Sequence, residues 1–204
     1  MKRKKVVSFL ASGRGSNFIA VRNKIEKGEI NAKLGILISD KSDAKALKIA
    51  QQFKMDAFFV DPLFFSTREE HDKAIVKLLK ENKTDLVVAA GYMRILTPYF
   101  VKMYRNKIIN IHPALLPAFP GIHAQRLALE KGVKITGCTT HFINEGTDTG
   151  PIIMQRAVPV LDNDNIETLS ARILKEEHRI LPDSVKLFCD DKLKIIHDKV
   201  IIKN

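Results

Sequence analysis

Asp85-Leu-Val-Val-Ala-Ala90 is a continuous apolar run of strand length. A run of that kind belongs to a strand buried on both faces, as the inner strands of a parallel sheet are. Before it, Ser66-Thr-Arg-Glu-Glu70 contains two overlapping capping boxes. The helix they open is expected to run to about Asn82, with Ile75, Leu78 and Leu79 facing inward. Further back, Val6 to Ala11 reads as a first strand, Phe18 to about Lys27 as a helix stopped by Gly28, and Leu34 to Ser39 as a second strand. Lys45 to Phe53 follows as a helix with Ala46, Leu47, Ala50 and Phe53 on one face, and Ala57 to Val60 as a short third strand. Strands alternating with helices imply a parallel sheet with right-handed crossovers, so the fold class is α/β.

After the apolar run, Thr97-Pro98 caps a short helix, and the chain reaches Lys107-Ile-Ile-Asn-Ile-His-Pro-Ala-Leu-Leu-Pro-Ala-Phe-Pro-Gly121. Ile108, Ile109 and Ile111 mark a buried strand. Asn110 and His112, two residues apart, project from one face of it. Pro113, Pro117 and Pro120 then force the chain out of the sheet into a stiff loop. An amide and an imidazole held side by side at a strand end suit an anion or a developing oxyanion. Taken alone, they equally suit an ordinary strand end with satisfied polar groups.

The later chain changes character. Val133 to Ile143 and Ile152 to Val160 read as two strands joined by the polar loop Asn144 to Gly150, the simplest arrangement being an antiparallel pair added to the parallel sheet. A long amphipathic helix is expected from Ile166 to Phe188, bent near Pro182. Lys192 to Ile196 and Val200 to Ile202 suit a terminal ribbon.

The composition bounds the function. With 204 residues, 45% hydrophobic and 28% charged, the chain is of ordinary globular type and long enough for one sizeable core. No apolar run approaches the ~20 residues of a membrane span, and the basic N-terminus lacks a signal-peptide core. Cys138 and Cys189 have no metal-type spacing and suggest no oxidising compartment, so a cytoplasmic enzyme is expected. The net charge of +11 is spread along the chain with no nucleic-acid-binding motif, and equally suits anionic small substrates. His71, His123, His141, His178 and His197 offer no spacing suited to a metal. No Gly-x-Ser-x-Gly elbow and no activated cysteine is present.

Three further segments are placed for chemistry. Ser12-Gly-Arg-Gly-Ser-Asn17 sits between a strand and a helix, where backbone N–H groups and the helix dipole favour a phosphate. A dinucleotide fingerprint is the rival: Gly13 and Gly15 match it and Asp40 mimics its ribose-binding acid, but Phe18 holds the third glycine position. Gly91-Tyr-Met-Arg-Ile-Leu96 follows the buried strand, where open α/β sheets place ligands. Asp148, in the polar loop, matters only if the fold brings it to His112; a buried carboxylate there raises the imidazole's pKa and keeps it cationic.

Together these segments resemble the phosphoribosylglycinamide formyltransferases, the folate-dependent glycinamide ribonucleotide transformylases of purine synthesis. The matching pieces are Ser12–Asn17, Gly91–Leu96, Asn110-Ile-His-Pro-Ala-Leu-Leu-Pro117, Phe119–His123 and Asp148-Thr-Gly-Pro-Ile-Ile153, in the family's order and over nearly the whole chain. The resemblance implies a Rossmann-like, mostly parallel twisted sheet with flanking helices and an antiparallel C-terminal strand pair. It implies one domain over residues 1–204, with a phosphate- and ribonucleotide-binding half at 1–106 and a catalytic and folate-binding half at 107–204.

By the same resemblance Gly15, Ser16 and Asn17 hold the ribonucleotide phosphate and Glu177 the ribose hydroxyls. Arg68, Met93, Arg94, Ile95 and Leu96 contact 10-formyltetrahydrofolate, and Asn144, Glu145, Gly146, Thr147 and Asp148 close over its pterin. Asn110 and His112 polarise the formyl oxygen, Asn110 thereby also touching the folate, and Asp148 keeps His112 charged. Neither a metal nor a covalent intermediate is implied. Arg14 and Leu174 depart from the family pattern around the ribonucleotide. The expected partners are two small molecules, with no nucleic acid and no membrane, for a monomer or homodimer. A formyltetrahydrofolate hydrolase usually adds an N-terminal domain and a methionyl-tRNA formyltransferase a C-terminal one, so chain length favours the ribonucleotide enzyme. A basic nucleotide- or RNA-binding module is the reading from another class, but gives no reason for Asn110 and His112 on one strand face.

Overall fold

The computed structural model describes residues 3–203. Seven strands form one sheet in the order β3-β2-β1-β4-β5-β6-β7. These are β1 (Lys5–Leu10), β2 (Ala32–Ser39), β3 (Ala57–Phe59), β4 (Leu86–Ala89), β5 (Ile108–His112), β6 (Ile135–Phe142) and β7 (Ile152–Pro159). The first five pair in parallel; β6 and β7 are added antiparallel, as expected from the sequence. A separate antiparallel ribbon, β8 (Leu193–Ile196) with β9 (Lys199–Ile202), closes the chain.

Alternation along each strand divides the core into two layers. Val7 and Phe9 of β1, Leu86 and Val88 of β4, and Ile109 and Ile111 of β5 pack on one face. There they meet α1 (Ser16–Glu26), α2 (Lys45–Gln52) and α6 (Ile166–Cys189) through Phe18, Val21, Leu47, Leu169, Ile173 and Ile180. Leu10, Val87 and Ile108 face the other way, against α3 (Arg68–Glu81) and α4 (Pro98–Met103), through Ile75, Leu79 and Phe100. Both faces of β4 are therefore covered, and its four residues are all buried. Asn110 and His112 share the pleat of Ile108 and so stand on the α3–α4 side.

Local chemistry sets the helix ends. Of the two capping boxes, the one that forms is Thr67 with Glu70: the Thr67 side chain accepts from the Glu70 N–H, and the Glu70 carboxylate accepts from the Thr67 N–H. Asn165 and Thr168 do the same for α6. That helix continues across Pro182. A short helix, α5 (Ala124–Glu130), has no counterpart in the sequence reading; it follows His123, whose left-handed backbone turns the proline-rich loop into it.

The strand order creates a switch point. From β1 the chain steps outward to β2 and β3, then returns to the other side of β1 as β4. The loops leaving β1 and β4 diverge there, opening a crevice at the strands' carboxyl ends. The Ser12 N–H donates to the Gly91 carbonyl at 3.0 Å and ties the two loops across the crevice.

Candidate active site

The loop after β1 is built as a cradle. Gly15 has φ 74°, and a Cβ there would lie 2.8 Å from Ala46 Cβ, so both the backbone and the packing against α2 require glycine. Gly15 precedes α1 without any side-chain cap, and the first turn holds no acidic residue. The positive helix end is left open to an anion. The Ser12 hydroxyl donates to Asp40 at 2.6 Å and accepts the Met93 N–H at 2.9 Å. Asp40 thus braces the loops, and Phe18 is fully buried against Phe9 with ring centroids 4.9 Å apart. Phe18 thus belongs to the core at the position where a dinucleotide fingerprint needs its third glycine.

Beside the cradle, Asn17 Nδ2 donates to Glu177 Oε2 at 2.7 Å. Burial pushes the Glu177 carboxyl up, against opposition from Asn17 and the Arg14 charge. Asn17 Oδ1 is buried with no partner. Arg14, Gly15, Ser16, Asn17, Leu174 and Glu177 line a cavity of about 300 Å³.

A second cavity, of about 450 Å³, opens on the other side of the β5 end. Met93, Arg94, Ile95 and Leu96 line one wall, and Asn144 through Asp148 another. Asp72, buried in α3, shapes the first wall by accepting from both the N–H and the hydroxyl of Thr97, each at 2.7 Å. In the second wall Asn144 Oδ1 accepts the Gly146 N–H at 3.1 Å and the Thr149 hydroxyl at 2.9 Å. Gly150 lets the loop pass so close to β6 that a Cβ would lie 1.8 Å from the Phe142 carbonyl oxygen.

The polar groups converge on the floor of this cavity. Asp148 Oδ2 accepts the Gly121 N–H at 2.8 Å and lies 3.3 Å from His112 Nδ1. Asn110 Nδ2 lies 3.4 Å from Asp148 Oδ1 and 3.1 Å from His141 Nε2. A carbonyl can only accept, so His141 Nδ1, which faces the Phe142 carbonyl at 2.9 Å, carries a proton, while its Nε2 faces Asn110 Nδ2 at 3.1 Å and Asp148 Oδ1 at 3.5 Å. By the same reasoning His112 Nε2 donates to the Phe119 carbonyl at 2.7 Å.

The electrostatics correct one expectation. Burial pushes the His112 imidazole below its ordinary value. The Phe119 carbonyl and the Asp148 charge pull it up without overcoming that burial, and His141 pushes it further down. Asp148 therefore favours the imidazolium but does not raise the His112 pKa above its ordinary value, since burial outweighs it. For Asp148 itself burial acts upward, yet His141, the Gly121 N–H and His112 together hold its carboxyl below the usual range.

A family model described as "Formyl transferase" matches residues 4–185. The chain belongs to the formyl transferase family. It is 40% identical to the phosphoribosylglycinamide formyltransferase of Bacillus subtilis, over 89% of this chain and 93% of that protein. The crystal structure of glycinamide ribonucleotide transformylase 1 from Symbiobacterium toebii superposes with a TM-score of 0.97 at 44% identity, covering 98% of this chain and 95% of that one. A formyltetrahydrofolate deformylase from Pseudomonas syringae also superposes, with a TM-score of 0.91 at 26% identity, covering 99% of this chain but 67% of that one.

Within this formyl transferase fold nearly all the residues singled out from the sequence line one of the two cavities. Arg68 lines neither; it is exposed at the first turn of α3. His141 enters the site although the sequence offered it no role. The signal was in strand register: β5 and β6 are antiparallel with Asn110 directly opposite His141, so both side chains share a face. Thr139 was missed as well. Its hydroxyl donates to the Ala114 carbonyl at 2.7 Å and accepts from the Leu116 N–H at 3.0 Å and from Gln155 Nε2 at 3.0 Å. That hydroxyl pins the start of the proline-rich loop, which includes a cis bond between Leu116 and Pro117. Among the described residues no cluster of His, Cys, Asp and Glu suits a metal, and no helix is long and apolar enough to cross a membrane.

Proposed function

We propose that this chain transfers the formyl group of 10-formyltetrahydrofolate to the amine of glycinamide ribonucleotide, yielding formylglycinamide ribonucleotide and tetrahydrofolate in cytoplasmic purine biosynthesis. The observation that carries the proposal is that two unlike cavities share a wall formed by Gly91, Met93, Ile111, Pro113 and Gln125, and that Asn110, His112 and Asp148 line the larger one beside that wall. One is a polar cradle at a helix start, suited to a phosphorylated sugar; the other is larger and mostly apolar, suited to a pterin. A direct transfer needs both substrates held with the reacting atoms at their junction.

In the cradle, the backbone of Gly15, Ser16 and Asn17 binds the phosphate and Glu177 the ribose hydroxyls. In the larger cavity Met93, Ile95 and Leu96 flank the folate, Arg94 and the Asn144–Asp148 loop supply its polar contacts, and Arg68 meets only its outer end. The amine attacks the formyl carbon, the carbonyl electrons move onto oxygen, and a tetrahedral intermediate forms. The Asn110 N–H held only by the 3.4 Å contact to Asp148 turns to that oxygen. So does the His112 Nε2 proton, once the formyl oxygen replaces the Phe119 carbonyl as its acceptor. Asp148, ionised at neutral pH, stabilises any imidazolium that forms and relays through water the proton that the amine loses and the folate N10 gains. The C–N10 bond then breaks, and tetrahydrofolate leaves.

Because a formyltetrahydrofolate deformylase shares the fold, hydrolysis is the reading to separate. Folate absorbance is followed after mixing the protein with 10-formyltetrahydrofolate, with and without glycinamide ribonucleotide. Deformylation only in the presence of the ribonucleotide supports transfer; equal deformylation without it identifies a hydrolase.

A further inference from the structure

Five residues line both cavities: Gly91, Met93, Ile111, Pro113 and Gln125. Four of them offer the shared wall no polar side-chain group that donates or accepts strongly. Gln125 alone brings a donor and an acceptor. It sits at the second position of α5, beside Ala124, which with Ala128 is buried and anchors that helix. Gln125 is half-buried, and among the described residues its carboxamide has no protein hydrogen-bond partner.

We infer that Gln125 selects the ribonucleotide by pairing its carboxamide with the amide linkage of the glycinamide arm. The inference rests on the formyl-transfer reading above and deepens it. With the phosphate in the Gly15–Asn17 cradle and the amine at Asn110 and His112, the arm joining them crosses the wall that the cavities share. That arm carries one amide, an N–H donor next to a C=O acceptor. The side chain of Gln125 offers the complementary acceptor and donor. A binding group left unpaired in the free protein exchanges no internal bond for the ligand, so its contribution goes to recognition. Discrimination of this kind falls on substrates that lack the matching polar group.

The test is the substitution Gln125→Met, which keeps length and volume and removes both polar functions. The KM for glycinamide ribonucleotide is expected to rise roughly tenfold, while the KM for 10-formyltetrahydrofolate changes less than about twofold. Calorimetry of the ribonucleotide alone should show the same roughly tenfold loss. Ribose 5-phosphate has the sugar and phosphate but no arm, and should bind wild type and Gln125→Met equally. An unchanged ribonucleotide affinity overturns the assignment, as does a parallel loss for ribose 5-phosphate or for the folate. Wild-type turnover in the same assay tests the underlying reading separately. Because the calorimetry needs no turnover, the role of Gln125 is decided either way.

Discussion

Asp148 Oδ2 lies 3.3 Å from His112 Nδ1, and the Gly121 N–H fixes the same oxygen at 2.8 Å. The carboxylate belongs to the loop between β6 and β7, the imidazole to the end of β5, and Gly121 to the proline-rich loop. One carboxyl group therefore joins its own loop to both ends of the stretch from His112 to Gly121, and its charge acts on an imidazole whose burial otherwise disfavours protonation.

Replacing Asp148 by Asn keeps the shape and removes that charge. The His112 pKa already lies below its ordinary value because burial outweighs the upward pull of Asp148. Removing the upward pull lowers it further. NMR titration of His112 should therefore show a midpoint more acidic in Asp148→Asn than in wild type. Turnover at neutral pH should drop sharply. An unchanged midpoint would show that the carboxylate acts on another group.

His112→Ala is expected to lower kcat by about 10² to 10⁴ and Asn110→Ala by about 10² to 10³. Folate affinity should be kept in both, since most of the larger cavity is built from other segments. Steady-state kinetics with a folate-binding titration checks this; normal turnover in either variant removes that side chain from the reaction.

His141 faces both Asn110 and Asp148. Substituting His141 by Phe removes the ring nitrogen 3.1 Å from Asn110 Nδ2 and 3.5 Å from Asp148 Oδ1 and leaves the Asn110 amide free to turn. A loss of roughly one hydrogen bond's worth of orientation predicts a kcat reduction of about tenfold. The KM for each substrate should hardly move, and the fall should be smaller than for Asn110→Ala. A larger effect on KM than on kcat would assign His141 to binding instead.

Much of this architecture was legible because it follows from periodicity. The apolar run through Leu86–Ala89, the Thr67 capping box and the alternation around Asn110 each depend on neighbours in sequence, and each forms as read. What escaped depends on partners far away. Helix α5 has no strong cap, and its start rests on the left-handed backbone of His123. His141 gains its role only from the register of β6 against β5. The direction of the His112 pKa turned on burial, a property of the assembled core, and there the carboxylate alone misled. Gly15 reads as a phosphate-loop glycine, but it also packs on Ala46.

That packing changes how the cradle should be probed. Gly15→Val forces a Cβ into contact with Ala46 and a β-branched residue into positive φ, so ribonucleotide affinity and thermal stability should fall together. Asn17→Ala is the cleaner variant: it strips the buried Glu177 carboxyl of its donor, at a cost of about 1–3 kcal/mol in stability. Ribonucleotide affinity should fall while folate affinity holds. Equal losses for both ligands would mean that the cradle supports the fold and not the substrate.

The most direct measurement follows the formyl carbon itself. With 10-formyltetrahydrofolate labelled with carbon-13 in the formyl group, carbon NMR distinguishes a formamide on the ribonucleotide from free formate. In the presence of glycinamide ribonucleotide the label should move to the ribonucleotide's amine in step with tetrahydrofolate release, and without it the label should stay on the folate. Label accumulating as free formate, or remaining on the folate when both substrates are present, would contradict formyl transfer by this site.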